Sequence, residues 1–465
     1  MPYKNEVANK TSHFDIVKNS EVAEFIKSCD YIKVPSESEG KKMCEDFKAI
    51  ENVKSDKLPG NIISIDGSFY EASISDELPS TKIGYVKIGN MLIKRKEYNK
   101  LGKNKFVDPF EVSKFQNNNL SMTFTFPSSN IITKGTDSLK DSFRKELDKQ
   151  LLKKRTKEND YKTSLRTTLF HLAALRSDGR ETGDTNKIQI YRCPNEECEG
   201  KNIGLLDIEE QQYCPHCHKP IYPSDCLRLW EEVYEYQSNT SVLSRFMLIM
   251  EHMMPIHYIR VMKETNKESY ANILSKLSFI IDGPLAIFGT AAWLHACIMK
   301  YVYNINKELK DMGFDEILYL GVQKTGQIAE YIKLIDKYLD KNRIFLIDDD
   351  YRYKYISPNK DPASKGFGRE TYYGQDFIYK NDLGKILSFA VIFPFYNKEG
   401  EFERQKLEIS NYTKINKVIN LLNEFKCNLY ENSIIPVALA HKYTAISFEP
   451  GGRVLDLLSK HYIEK

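Results

Sequence analysis

Leu120, Met122, Phe124 and Phe126 alternate with Ser121, Thr123 and Thr125. A strict period of two puts one set on each side of a strand, so this segment must sit on a sheet with one face covered. Two more strands precede it, from Asn61 to Asp66 and in KIGYVKIGNMLIKR, and the loops between the three imply an antiparallel meander. From residue 279 onward the pattern changes. FIIDG, ILYLGV and IFLID are short apolar runs of the kind buried on both faces, and AAWLHACIMKYV and GQIAEYIKLIDKYL are helical stretches between them. SFAVIFPF with FERQKLEI is expected to form a hairpin, while KINKVINLLNEF and GGRVLDLLSKHYI read as helices. A meander followed by strand–helix alternation shares one core most simply as a mixed sheet flanked by helices, an α/β fold.

Four segments divide the 465 residues. Residues 1–58 form a polar, helical N-terminal extension. Residues 59–189 carry the meander and a charge-rich helix over 135–160, read as a solvated face or as an arm that tracks phosphates. Residues 190–226 form a distinct insert. Residues 227–465 begin with helical stretches at 226–237 and 241–263 and hold the alternating part. With 67 basic against 64 acidic residues the net charge is +3, so any nucleic-acid contact must come from local patches. No stretch of about 18 apolar residues spans a membrane, and the start of the chain has no apolar signal core, so a cytoplasmic protein is expected.

In the insert, Cys193, Cys198, Cys214 and Cys217 follow the spacing Cys-x4-Cys, fifteen residues, Cys-x2-Cys. Four thiolates in two knuckles make a closed tetrahedral Zn2+ site, structural because no position is left open. His216 and His218 are competing ligands, and Cys226 is the substitute if Cys198 does not bind. Cys29, Cys44, Cys297 and Cys427 show no pairing pattern and read as ordinary thiols.

IISIDGS and FIIDGP each end an apolar strand on an Asp-Gly corner, at Asp66 and Asp282. Either corner alone also reads as a plain turn. If the strands are neighbours, the two carboxylates converge, and hard oxygen ligands on one spot suit Mg2+ or Mn2+. Glu251 lies in VLSRFMLIMEHMM, a helix apolar on nearly every face, where an acid must be protonated, metal-bound or paired, for instance with Arg245. His441 ends the apolar segment IIPVALAHKYTAIS, as a core histidine or as a proton donor beside a metal. Lys324, in LGVQKTGQIAE between a strand and a helix, is placed to meet a phosphate. The acid run Asp348, Asp349 and Asp350 either faces solvent or binds a cation loosely.

IDGS at 65–68, Glu251 on its helix, DGPLAIFG at 282–289, GVQKTG at 321–326, YYGQDFIYK at 372–380 and PVALAHKYTAIS at 436–447 together resemble the NurA nucleases, over roughly residues 60 to 450. The resemblance implies an RNase H-like core carrying a Mn2+- or Mg2+-dependent centre that cuts DNA as an exonuclease and endonuclease. It implies a homodimer docked on a HerA-type hexameric ATPase, in DNA end processing or defence against foreign DNA. By position, Asp66 and Asp282 become metal ligands, Glu251 the helix-borne ligand and His441 the late catalytic histidine. Glu264 and Glu268 lie nearer Asp282 in sequence and compete with Glu251. The zinc ribbon is an addition to the simplest family pattern. Two rival readings are a non-catalytic adaptor that binds DNA or a motor, and an RNase H-like nuclease for RNA or junctions.

Overall fold

The computed structural model describes residues 9, 11–29, 33–50, 57–101, 119–357, 366–426 and 432–463. Cys427, and the parts of the N-terminal extension and of the charged loops outside these ranges, lie beyond the described residues. Among the described residues nine strands form one mixed sheet. The meander is β1 (Asn61–Ser73), β2 (Lys82–Lys94) and β3 (Asn119–Ser129), all antiparallel. Next to β1 on its other side runs β4 (Leu277–Asp282), parallel to it, and then β5 (Leu318–Val322), parallel to β4. These five strands lie in the order third, second, first, fourth, fifth, with only the second antiparallel to the other four, which is the RNase H-like arrangement. The sheet continues antiparallel through β8 (Ile386–Ile392), β7 (Gly374–Lys380) and β6 (Arg343–Leu346) to the two-residue edge strand Lys48–Ala49.

Burial follows this topology. Leu277 through Ile281 and all of β5 are buried, as parallel strands covered on both faces require. The long helix α3 (Thr240–Thr265) crosses one face of β1 and β2, and α7 (Ile435–Thr444) lies on the other. Two glycines allow this close packing. A Cβ at Gly67 would stand 2.5 Å from Met247 Cγ of α3, and one at Gly89 would stand 2.3 Å from Thr444 Cγ2 of α7. Around them α1 (Leu139–Lys153), α2 (Leu165–Ala173), α4 (Leu294–Asp311), α5 (Gln327–Ile335), α6 (Ile415–Glu424) and α8 (Gly451–Ile463) complete the layers. No helix among the described residues is long and apolar enough to cross a membrane.

Four local expectations are corrected. The charged helix is not a solvated face: α1 buries Leu139, Phe143, Leu147 and Leu151, and with them Arg144 and Asp148. These charges are paired inward, Arg144 Nε and Nη2 each donating to Asp225 at 2.8 Å and Arg166 Nη1 to Asp148 at 3.1 Å. The strand in SFAVIFPF pairs with Gly374–Lys380, and Phe402–Gln405 is a helical turn. The reason is the turn between them, where the Asn381 side chain accepts from the backbone N–H groups of Leu383 and Lys385. Residues 226–237 hold 3-10 turns rather than a helix, interrupted by Arg228 at a φ of 56°. The described part of the N-terminal extension adds the edge strand to its short helices Phe14–Val17, Ser20–Ser28 and Glu37–Met43.

Burial holds the imidazoles of His257 and His295 down to about 3. His257 is kept neutral between Thr156 (3.1 Å) and Thr168 (2.8 Å). The unfolded chain protonates these rings near pH 6.5, so it binds more protons than the fold between that pH and about 3. Stability is therefore lost as the pH falls below about 6.5, with a slope of about 1.4 kcal/mol per pH unit per histidine. The urea midpoint should drop from pH 7 to pH 5, and less steeply in a His257→Gln variant; parallel slopes would refute the assignment.

Candidate metal centre

The register of β1 on β4 builds the site. Ile65 pairs with Ile281, so the next residues, Asp66 and Asp282, end side by side on one face. That face is covered by α7, where His441 and Thr444 lie three residues apart and so on one side of the helix. The Asp66 carboxylate accepts from Thr444 Oγ1 at 2.9 Å and meets His441 Nδ1 at 3.0 Å through the same oxygen, Oδ2. Asp66, Asp282 and His441 each present a ligand atom within 4.8 Å of the others'. The two acid corners are thus two walls of one site, as the convergence of the strands predicts.

Glu251 comes from the opposite face. Its Oε1 would stand 2.6 Å from a Cβ at Gly67, and the Gly67 backbone N–H donates to it. It borders the Asp66–Asp282–His441 group from outside the 4.8 Å set. Burial, and after it the charges of Asp66 and Asp282, push its carboxyl well above the ordinary range. Arg245 does not neutralise it; its Nε faces Glu232 at 3.4 Å. The competitors are elsewhere: Glu264 pairs with Arg260 at 2.7 Å, and Glu268 is exposed beyond the end of α3. Lys324, just past the end of β5, forms an ion pair with Asp282 Oδ2 rather than standing free for a phosphate. Burial and then Asp66 push Asp282 up to about 6, against the pull of Lys324. The hydrogen bond to Asp66 raises His441, which stays half-exposed.

Three acids thus crowd together with Lys324 and His441 facing them. Desolvated carboxylates this close are costly unless a cation compensates. Two carboxylates, an imidazole and a third acid at the margin fit a hard divalent ion such as Mg2+ or Mn2+. Thr444 was not foreseen from sequence, although its spacing from His441 in AHKYT was the available signal. The acid run is used otherwise: Asp348 Oδ1 caps a turn by accepting from the Tyr351 N–H at 2.7 Å, and Asp349 faces Lys406 at 3.5 Å.

The insert forms a second donor cluster. Strands Lys187–Arg192 and Lys201–Leu206 pair, as do Gln212–Tyr213 and Pro220–Ile221. Cys193, Cys198, Cys214 and Cys217 converge, with Sγ–Sγ separations of 3.7 Å for Cys193–Cys217 and 3.8 Å for Cys198–Cys214. Four sulfurs about 2.3 Å from one ion stand about 3.8 Å apart, so the cluster is already of zinc size. His216, His218 and Cys226 lie outside it.

A family model described as the NurA domain matches residues 60–446. A solved structure titled "Crystal structure of NurA" aligns with 96% of this chain and 94% of its own at 12% identity, with a TM-score of 0.26, which carries no argument by itself. No curated protein matches the chain.

Two outcomes are expected. Mn2+ should raise the melting temperature of the wild-type chain by a few degrees through binding to the folded state alone, and Asp66→Asn should abolish that rise. Gly67→Ala should cost about 1–3 kcal/mol in urea unfolding, because its Cβ displaces both Met247 and Glu251. An undiminished Mn2+ response in Asp66→Asn would place the cation elsewhere.

Proposed function

The chain belongs to the NurA family, and from that premise we propose that it is a cytoplasmic, divalent-metal-dependent nuclease that hydrolyses DNA phosphodiester bonds at the Asp66–Asp282–His441 centre. The observation that carries the reading is the meeting of two strand-end acids and a histidine on one face, 4.8 Å apart or less. An adaptor would have no use for desolvated, mutually repelling carboxylates.

Asp66 and Asp282 would hold the Mn2+ or Mg2+, with Glu251 completing the set. One or two such ions, when bound, would supply an activated water and would offset charge on the scissile phosphate. The chain's own residues do the rest. Thr444 fixes the Asp66 carboxylate through one oxygen. Glu251, whose carboxyl is raised by burial and by the charges of Asp66 and Asp282, lies where added positive charge would favour its ionised form. Lys324 exchanges its ion pair with Asp282 for a substrate phosphate oxygen. His441, with a raised proton affinity and open to solvent, holds a proton ready for the leaving oxygen. The cysteine cluster holds a structural Zn2+. Family membership further supports a homodimer working with a HerA-like hexameric ATPase in end processing or defence against foreign DNA.

Purified protein is incubated with single-stranded DNA, duplex DNA and RNA, with Mn2+ or with EDTA. DNA should be cut with Mn2+ only, and Asp66→Asn should lose more than about 100-fold in rate with its melting temperature retained. An active Asp66→Asn, or cleavage confined to RNA, would sink the proposal. Zinc should be present at about one per chain, and Cys214→Ser should lose it together with the fold of the insert rather than turnover alone.

A further inference from the structure

The insert carries more than its four cysteines. On the strand Lys187–Arg192, Tyr191 is 39% exposed and lies between two guanidiniums, with Arg180 at 4.7 Å and Arg228 at 5.2 Å from its ring centroid. The next residue, Arg192, lies over Trp230 at 5.2 Å and keeps half of its side chain in solvent. The partner strand opposite presents exposed Asn202 and Gly204, and nothing stands within 4 Å of the space above Gly204. The result is an open two-stranded face with an Arg–Tyr–Arg stack at one end.

Arg192 leaves the strand on the side opposite Tyr191, and the charge around the stack is unbalanced. Arg228 is bidentate to Glu231 at 2.8 and 2.7 Å, and Arg192 reaches the same carboxylate at 3.4 Å. Arg180 shares Asp178 with the buried Arg176. Three guanidiniums that reach solvent, Arg180, Arg192 and Arg228, therefore meet two carboxylates, an excess of one (3 minus 2). Arg228 also holds a left-handed backbone, φ 56°, a cost that a non-glycine residue bears only where its surroundings dictate it.

The face is tied to the loop that follows Asp282. The Leu227 carbonyl, one residue before Arg228, accepts from Thr290 Oγ1 at 2.9 Å. Thr290 lies eight residues after Asp282 (290 minus 282). Between them, Gly289 packs so closely on Arg245 that a Cβ would meet its guanidinium at 2.9 Å.

We propose that the Arg180–Tyr191–Arg228 stack, with Arg192, is a second contact for the DNA substrate, which holds its strand on the insert as it leaves the metal centre. The proposal rests on the nuclease reading of that centre. Guanidiniums bind phosphates and stack on bases, and an aromatic between them alternates with both, a pattern that suits a nucleic-acid strand better than an acidic peptide.

The test uses the full chain in an Asp66→Asn background without Mn2+, so that DNA binds uncut. Binding of a long single strand is followed against salt for this chain and for added Arg180→Gln with Arg192→Gln. The expected result is several-fold weaker binding and a salt slope smaller by about 1 for each phosphate no longer neutralised, with zinc content unchanged. Tyr191→Leu, which removes no charge, should weaken single-strand binding while leaving the slope as it was. If the arginine pair loses zinc, Tyr191→Leu decides, and unweakened binding there overturns the proposal. An unchanged affinity and slope with zinc retained overturns it too, and leaves the face to a protein partner. If the wild-type chain cuts no DNA with Mn2+, the nuclease reading falls and this one with it. If it cuts DNA normally, only this surface is in question.

Discussion

A single register, Ile65 beside Ile281 in two parallel strands, fixes the chemistry of this molecule. Shift either strand by one residue and its acid would move to the opposite face of the sheet, because side chains alternate with a period of two. Hydrophobic burial sets that register: the residues leading up to both acids are almost entirely buried on both faces, so a slip would break their packing against α3 and α7 and drive an acid out of the cluster. The acids are thus positioned by residues that take no part in the chemistry.

Holding the two carboxylates together opposes folding, and the surroundings are arranged to limit this. Thr444 donates to Asp66, Lys324 pairs with Asp282, His441 shares an oxygen of Asp66, and the Gly67 N–H reaches Glu251. None of these removes the conflict, since Asp282 and Glu251 still stand above the usual carboxylate range. A site left short of positive charge in this way has an appetite for cations built in. The two glycines, Gly67 and Gly89, allow this density of groups by letting α3 and α7 come down on the sheet from opposite sides.

The strands were legible in the sequence because alternation and buried apolar runs report directly on which face is covered. The cysteine cluster was legible because ligand spacing is a geometric requirement. Asp66, Asp282, Glu251 and His441 could be named because an acid or imidazole next to apolar sequence has to be accounted for. What escaped depended on partners distant in sequence. The charges of α1 look solvated until Asp225 and Arg166 are brought against them. Lys324 looks free until β5 places it beside Asp282. The hairpin partner of Ile386–Ile392 was hidden because the turn at Asn381 carries the instruction and the strand composition does not.

The paired charges of α1 bear on how the insert is attached. Arg144–Asp225 and Asp148–Arg166 are buried on both sides, and Arg166 also approaches Asp207 at 3.5 Å. Such pairs contribute little net stability, since desolvation offsets most of the attraction, but breaking one by removing a partner costs several kcal/mol. Their effect is to specify geometry: Asp225 must come to Arg144 and Asp207 to Arg166, so the middle of the insert, between its two cysteine knuckles, and its C-terminal end are tied to α1 and α2. An insert tied at its middle and at its C-terminal end, with Leu227 bonded to the loop that follows Asp282, is docked to the body of the fold rather than hinged on it. A surface on an insert docked in this way is held against the body of the fold, which is what the proposed second contact requires.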